Sequence, residues 1–158
     1  ARIVRTKLAP AVAPTVTRIA AFRRLIFRII SQIRIEYRHS ALSAGRAGAV
    51  HGGDRLPWVE LSPGVDNFAP LTSLDWQVHV YGEVRPELLE ACAEMGLALH
   101  RFEWWRKMAA PELKRDALYL IRPDGYVAWA DAGADPHQLR RYVDRHRLTF
   151  KTQKEQSA

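Results

Sequence analysis

Tyr119-Leu120-Ile121-Arg122-Pro123-Asp124-Gly125-Tyr126-Val127-Ala128-Trp129 reads as strand, turn and strand. An apolar run rich in β-formers enters it, and an alternating run leaves it. Between them Pro123 pre-sets φ, the Asp124 carboxylate can bond back to the backbone, and Gly125 supplies a positive φ. Two strands joined this tightly are antiparallel neighbours, so 117–122 and 126–130 are expected to form a β-hairpin.

Working outward, Asp75 to Tyr81 is a strand of β-branched and aromatic residues, and Leu97 to Trp104 is another. Between them Pro86 to Gly96 reads as a helix with Pro in the first turn, early acids and a C-terminal Gly. Its expected buried stripe is Leu88, Leu89, Cys92 and Met95. A strand, helix, strand crossover of this length makes 75–81 and 97–104 parallel neighbours. Trp58 to Leu61 is a short strand stopped by Ser62-Pro63-Gly64, Phe68 to Ser73 a further candidate strand, and Ala110 to Arg115 a short helix or turn. Asp135 is placed to cap a last helix with Pro136 at its first position and Leu139, Tyr142 and Val143 on its inner face. The order gives an α/β fold, a mixed sheet with helices on its faces and an antiparallel C-terminal hairpin.

Toward the N-terminus, residues 1–14 are an extended lead-in. From about 15 to 38 Val16, Ile19, Phe22, Ile26, Ile29 or Ile30, Ile33 and Tyr37 recur at helical spacing. Arginines interrupt the stripe too often for a membrane span. The pattern fits a basic amphipathic helix laid on a protein surface, with Phe22, Ile26, Ile29, Ile33 and Tyr37 as interface candidates. An anionic membrane surface or an acidic partner is the alternative. Ala41 to Gly53 reads as a linker. The chain thus divides into an N-terminal arm, helix and linker (1–50), a folded domain (51–150) and a frayed polar tail (151–158).

The net charge of +7 is unevenly placed: residues 1–50 carry ten Arg or Lys against Glu36, leaving the remainder at −2. Basicity confined to the arm argues against a nucleic-acid face on the folded body. With Cys92 as the single cysteine there is no internal disulfide. No secretory signal is visible, which places the chain in the cytoplasm, and a start at Ala1 without Met suggests a segment of something longer.

Leu120 to Trp129 resembles the "vRPDGhvAWR" signature near the end of FAD-dependent aromatic-ring hydroxylases, the phenol-hydroxylase-like monooxygenases. Gly53-Asp54-Arg55-Leu56-Pro57 is similar to the "GdRaP" that opens the same C-terminal domain. Ser31 to Ser40 resembles the segment linking it to the flavin and substrate domains. Gly53, Asp54, Arg55, Pro57, Arg122, Pro123, Asp124, Gly125 and Trp129 carry the likeness as structural motif positions. Ala130-Asp131 departs from it where an Arg is common. The resemblance implies a thioredoxin-like sandwich preceded by the basic helix. It also implies a parent that hydroxylates phenolic rings with FAD, NAD(P)H and oxygen. This chain would then be a non-catalytic domain that packs on the FAD and substrate domains, or on a separate flavoprotein subunit, and helps form a homo-oligomer.

Chemistry within the chain itself is sparse. Thiol redox work wants a Cys at a helix N-terminus, usually Cys-x-x-Cys, and the turn Tyr81-Gly82-Glu83-Val84-Arg85 holds no sulfur. Cys92 falls on the apolar stripe of the second turn. No G-x-G-x-x-G is present to cradle a pyrophosphate; Gly52-Gly53-Asp54 echoes the Gly-Asp element of flavin hydroxylases but precedes a strand. The histidines lack metal-ligand spacing. His79 and His100 lie on strands expected to be neighbours, as a hydrogen-bonded core pair or a small catalytic site. Catalytic, cofactor and metal residues are therefore expected to be none. Five Trp exceed what core filling needs, which makes Trp105 an interface candidate.

Overall fold

Residues 37–105 and 113–150 are described by the computed structural model. The chain divides into two units, Ala1–Arg34 and Ile35–Ala158, and the described strands and helices all belong to the second. The expected amphipathic helix with Phe22, Ile26, Ile29 and Ile33, the 151–158 tail and residues 110–112 of the short helix or turn lie outside the described residues.

Eight strands and two α-helices succeed one another along the described chain: β1 (Ala44–Ala47), β2 (Val50–His51), β3 (Glu60–Ser62), β4 (Val65–Asp66), β5 (Gln77–Tyr81), α1 (Pro86–Met95), β6 (Ala98–Phe102), β7 (Leu118–Ile121), β8 (Val127–Asp131) and α2 (Pro136–His146). Six strands make one sheet in the order β2-β1-β8-β7-β5-β6, and β3 and β4 make a separate ribbon. β5 and β6 are parallel across the α1 crossover, while β7 is antiparallel to both β5 and β8.

The 119–129 stretch folds as expected. Gly125 N–H donates to Arg122 C=O at 2.9 Å with Gly125 at φ 81°, and Tyr126 N–H reaches Asp124 Oδ1 at 3.3 Å. The return strand holds one departure. Leu120 pairs with Trp129 but Ile121 pairs with Val127, so Ala128 is an extra, bulged residue. Val127 therefore joins one core cluster while Trp129 joins the other. Strict alternation would have put both on one face.

The two faces are covered differently. Val78, Val80, Leu118, Leu120 and Trp129 meet Leu88, Cys92, Leu139, Tyr142 and Val143 of the helices. Tyr81, Phe102, Tyr119, Ile121 and Val127 meet Val50, Leu56, Val59 and Leu113 on the other side. With both faces of β7 buried, its sequence is apolar throughout. Asp135 caps α2 through His137 N–H at 2.8 Å, with Pro136 in the first turn and Leu139, Tyr142 and Val143 buried, as expected.

Three expectations are corrected. Ala41 to Gly53 is not a free linker: β1 lies parallel to β8, pairing Ala44 with Trp129, and β2 closes a hairpin beside it. Phe68 to Ser73 is no strand; Ala69–Ser73 is a 3-10 helix with Pro70 as its second residue, and a proline has no amide to give a ladder. On α1 the buried stripe is Leu88, Ala91 and Cys92, and Leu89 is exposed because it sits one residue, about 100°, off that line.

Candidate functional site

Gly53 to Leu56 and Gly125 to Val127, far apart in sequence, are joined backbone to backbone. Gly53 N–H donates to Val127 C=O at 2.7 Å, Val127 N–H to Asp54 C=O at 2.9 Å, and Leu56 N–H to Gly125 C=O at 3.1 Å. The entering chain lies on the same junction, with Tyr37 N–H on Gly53 C=O at 2.9 Å. A Cβ on Gly53 would come within 2.5 Å of the backbone at Tyr37 and Arg38, and its φ of +94° also disfavours a side chain. Glycine is required there by close approach.

Asp54 ties the side chains of the junction together. It accepts from Arg38 Nε at 2.7 Å and Nη2 at 3.2 Å and from His51 N–H at 2.9 Å. Burial alone would raise its carboxyl, but the Arg38 bonds, the His51 amide and both neighbouring charges hold it below the ordinary value. Arg122 pairs with Asp124 at 2.6 Å. The Tyr126 ring sits between the two motifs, with the Tyr37 edge against it at 5.1 Å and the Arg55 and Arg122 guanidinium groups 5.8 and 6.0 Å from its centroid. Arg55 differs from the other two arginines. Its Nε is shielded from water and has no hydrogen-bond partner.

The Gly52-Gly53-Asp54 triplet does not fit a flavin pyrophosphate. Its three amides are already engaged, with Gly45, Val127 and His51 carbonyls respectively. Trp129 is buried and stacks on Tyr142 at 5.6 Å. Asp131, in the Ala130-Asp131 pair that departs from the motif, receives Gly133 N–H at 3.3 Å and Asp135 N–H at 2.8 Å and so shapes the turn into α2.

A second polar assembly lies under β5. His79 and His100 are register partners on one face, ring centroids 5.6 Å apart. His79 is wholly buried. Its Nε2–H donates to Gln77 Oε1 at 2.9 Å, because the Gln77 amide NH2 donates to Pro70 C=O at 3.2 Å. Nδ1 then accepts from Tyr81 O–H at 3.3 Å. Asn67 donates to the Tyr81 oxygen at 2.7 Å and to Pro57 C=O at 2.8 Å, and accepts from Val59 N–H at 2.8 Å. One tautomer satisfies every group. Burial first, and the His100 charge second, push His79 down to about 3, so the ring is neutral. With both nitrogens engaged, His79 offers no atom to a substrate or metal. This relay instead pins residues 57–70 to the sheet.

Sequence reasoning missed Asn67, Gln77 and Tyr81. The signal was present as polar residues at every second position of β5, a pattern that ordinarily marks a solvent-facing side. Cys92 is buried and its thiol is pushed up to about 12 by burial, against the weaker opposing charge of Arg140. Trp105 is half exposed at 54%, and Tyr37 is 45% exposed. Among the described residues no group of three or more His, Cys, Asp or Glu is placed to hold a metal, and no helix is long and apolar enough to cross a membrane.

Residues 50–146 match the family described as aromatic-ring hydroxylase, C-terminal. No curated protein matches the chain significantly. Among solved structures, the rebeccamycin biosynthetic enzyme RebC with reduced flavin is similar at 23% identity and TM-score 0.54 over 71% of this chain and 22% of that one. RebC soaked with chromopyrrolic acid, with bound 7-carboxy-K252c, gives 22% and 0.55 over 85% and 27%. The substrate-free form gives 23% and 0.53 over 84% and 26%. The chain spans about a quarter of the length of these structures.

Proposed function

This chain belongs to the aromatic-ring hydroxylase C-terminal family, and on that premise we propose that it is a thioredoxin-like, non-catalytic domain of an FAD-dependent hydroxylase. The order β6-β5-β7-β8 with α1 and α2 on one face supports the thioredoxin-like description. The parent would bind FAD, take electrons from NAD(P)H and hydroxylate an aromatic ring. This domain would pack on the flavin and substrate domains, or on a separate flavoprotein subunit, and assist oligomerisation. RebC, a structural neighbour, was solved with reduced flavin, which accords with that parent.

The observation that carries the role is the closure of the two motifs on each other. Gly53-Asp54 and Gly125-Tyr126-Val127 direct their backbone groups inward, to one another and to the entering chain, so the motifs build a joint between domain and linker. Neither presents a nucleophile or a phosphate cradle. The turn before α1 holds no sulfur, and Cys92, buried in the second turn, is a core thiol.

Purification of the 158-residue chain from flavin-replete cells tests the proposal. Colourless protein that does not oxidise NADPH is expected. Stoichiometric flavin retained on the chain would overturn the non-catalytic role.

A further inference from the structure

We infer that the outer edge of β6 is a self-pairing seam, where a second copy of this chain adds its own β6 antiparallel about a two-fold axis through His100. This rests on the oligomerising role proposed above and names the surface. β6 ends the six-stranded sheet on one side, as β2 does on the other. Phe102 C=O accepts Gly82 N–H at 2.8 Å, so Ala98, His100 and Phe102 turn their backbone groups toward β5. Leu99 and Arg101 turn theirs outward, and among the described residues nothing meets them.

Exposed edges are ordinarily blunted by shortness, a proline, a bulge or a projecting charge. β2 is blunted by its length of two residues. β6 has five residues, with no proline, no glycine and an unbroken register against β5. Its one permanent charge, Arg101, is turned back over β5, with Nε on Gly82 C=O at 2.9 Å and Nη2 on Glu83 at 2.6 Å.

The edge also fits itself, as an isologous contact must. In the register that sets His100 opposite His100, Leu99 N–H donates to Arg101 C=O of the second copy, and Leu99 C=O accepts the Arg101 N–H. The same exchange repeats across the axis. Ala98, His100 and Phe102 share one face of the strand. There the small Ala98 meets the large Phe102. On the helix face, partly buried Leu99 meets the aliphatic stem of Arg101. Burial lowers the His100 imidazole, so two neutral rings meet at the axis. A strand from elsewhere in the parent would find the same backbone groups but not this residue-by-residue match.

The test uses the 158-residue chain. Sedimentation at rising concentration should carry the mass from 18.0 kDa to twice that value. The Leu99 and Arg101 amides should exchange with deuterium about tenfold more slowly in concentrated than in dilute protein. His100→Cys should close a disulfide between copies under mild oxidation, because facing Cα atoms at such a position are about 4.5 Å apart. Cys92 is buried and takes no part. Ala98→Cys, whose two copies lie roughly 14 Å apart along the strands, should not crosslink. Crosslinking of Ala98→Cys without crosslinking of His100→Cys would overturn the register and the seam with it. A single-chain mass at every concentration overturns the seam in the wild type, whether or not either variant folds. A dimeric mass with edge amides that exchange at one rate throughout strikes the seam and leaves the oligomerising role standing. Flavin retained by the chain strikes the non-catalytic role and leaves the seam untouched.

Discussion

Lowering the pH from about 7.5 to about 5 is expected to cost the fold about 2 kcal/mol through His79. The unfolded chain protonates this imidazole near 6.5, whereas the folded chain does so only near 3. Between these values the unfolded state binds more protons, so stability falls as pH falls. The contribution is complete above the unfolded value and is lost progressively toward the folded one. At about pH 5 the imidazole is some one and a half units below its unfolded value, at roughly 1.4 kcal/mol per unit. Protonation would also place a second N–H against the Tyr81 hydroxyl, which could then no longer donate to Nδ1, while the bonds through Gln77 to Pro70 would be unchanged. His100 is held down by burial and adds in the same direction, so wild type alone cannot isolate His79. Urea unfolding followed by tryptophan fluorescence at both pH values, on wild type and His79→Gln, separates the two. The variant should lose about 2 kcal/mol less than wild type on acidification. Equal losses would refute the assignment of His79 as the buried neutral group.

Other expected outcomes concern the junction and the thiol. Gly45→Ala would bring a Cβ within 2.1 Å of the Ala130 carbonyl at a φ of +75°; a loss of about 2 kcal/mol or more in urea unfolding is expected, with faster amide exchange in β1. Asp54→Ala should cost roughly 2 kcal/mol by removing charged acceptors from Arg38 and His51. In wild type that support is present above about 3.8 and fades as pH falls through the lowered folded value, so acid titration of wild type and variant should converge. Cys92 should ignore a disulfide reagent in the native chain at mildly alkaline pH and react fully in urea, as burial keeps its thiol protonated.

What the sequence made legible was local chemistry. Pro123-Asp124-Gly125 wrote its own turn, Pro86 opened α1, and Asp135-Pro136 opened α2, each through groups within a few residues of one another. What it hid depends on distant partners. Ala44 to Ala47 has no side-chain period of its own, because its place is set by backbone pairing with β8 and by glycine's tolerance of close approach. The Ala128 bulge was invisible for the same reason: an alanine fits either face, and only the ladder shows which partner it lacks. At the motifs, the residues were identifiable from the family likeness, but their joining was not. Nothing in Gly53-Asp54-Arg55 says that it will lie against Tyr126. The relay under β5 escaped because a satisfied polar core and a wet strand face share one alternation.

The pairing of Ala44 with Trp129 has a consequence for how the protein is made. A ribosome releases β1 first and its neighbour some eighty residues later, a delay on the order of ten seconds at ordinary elongation rates. During that interval β1 and β2 have only each other, and two such short strands do not hold together in water. Synthesis therefore ends with the sheet gaining its outer pair last, so a nascent chain stalled before the hairpin should leave Ala44 to His51 open to proteases.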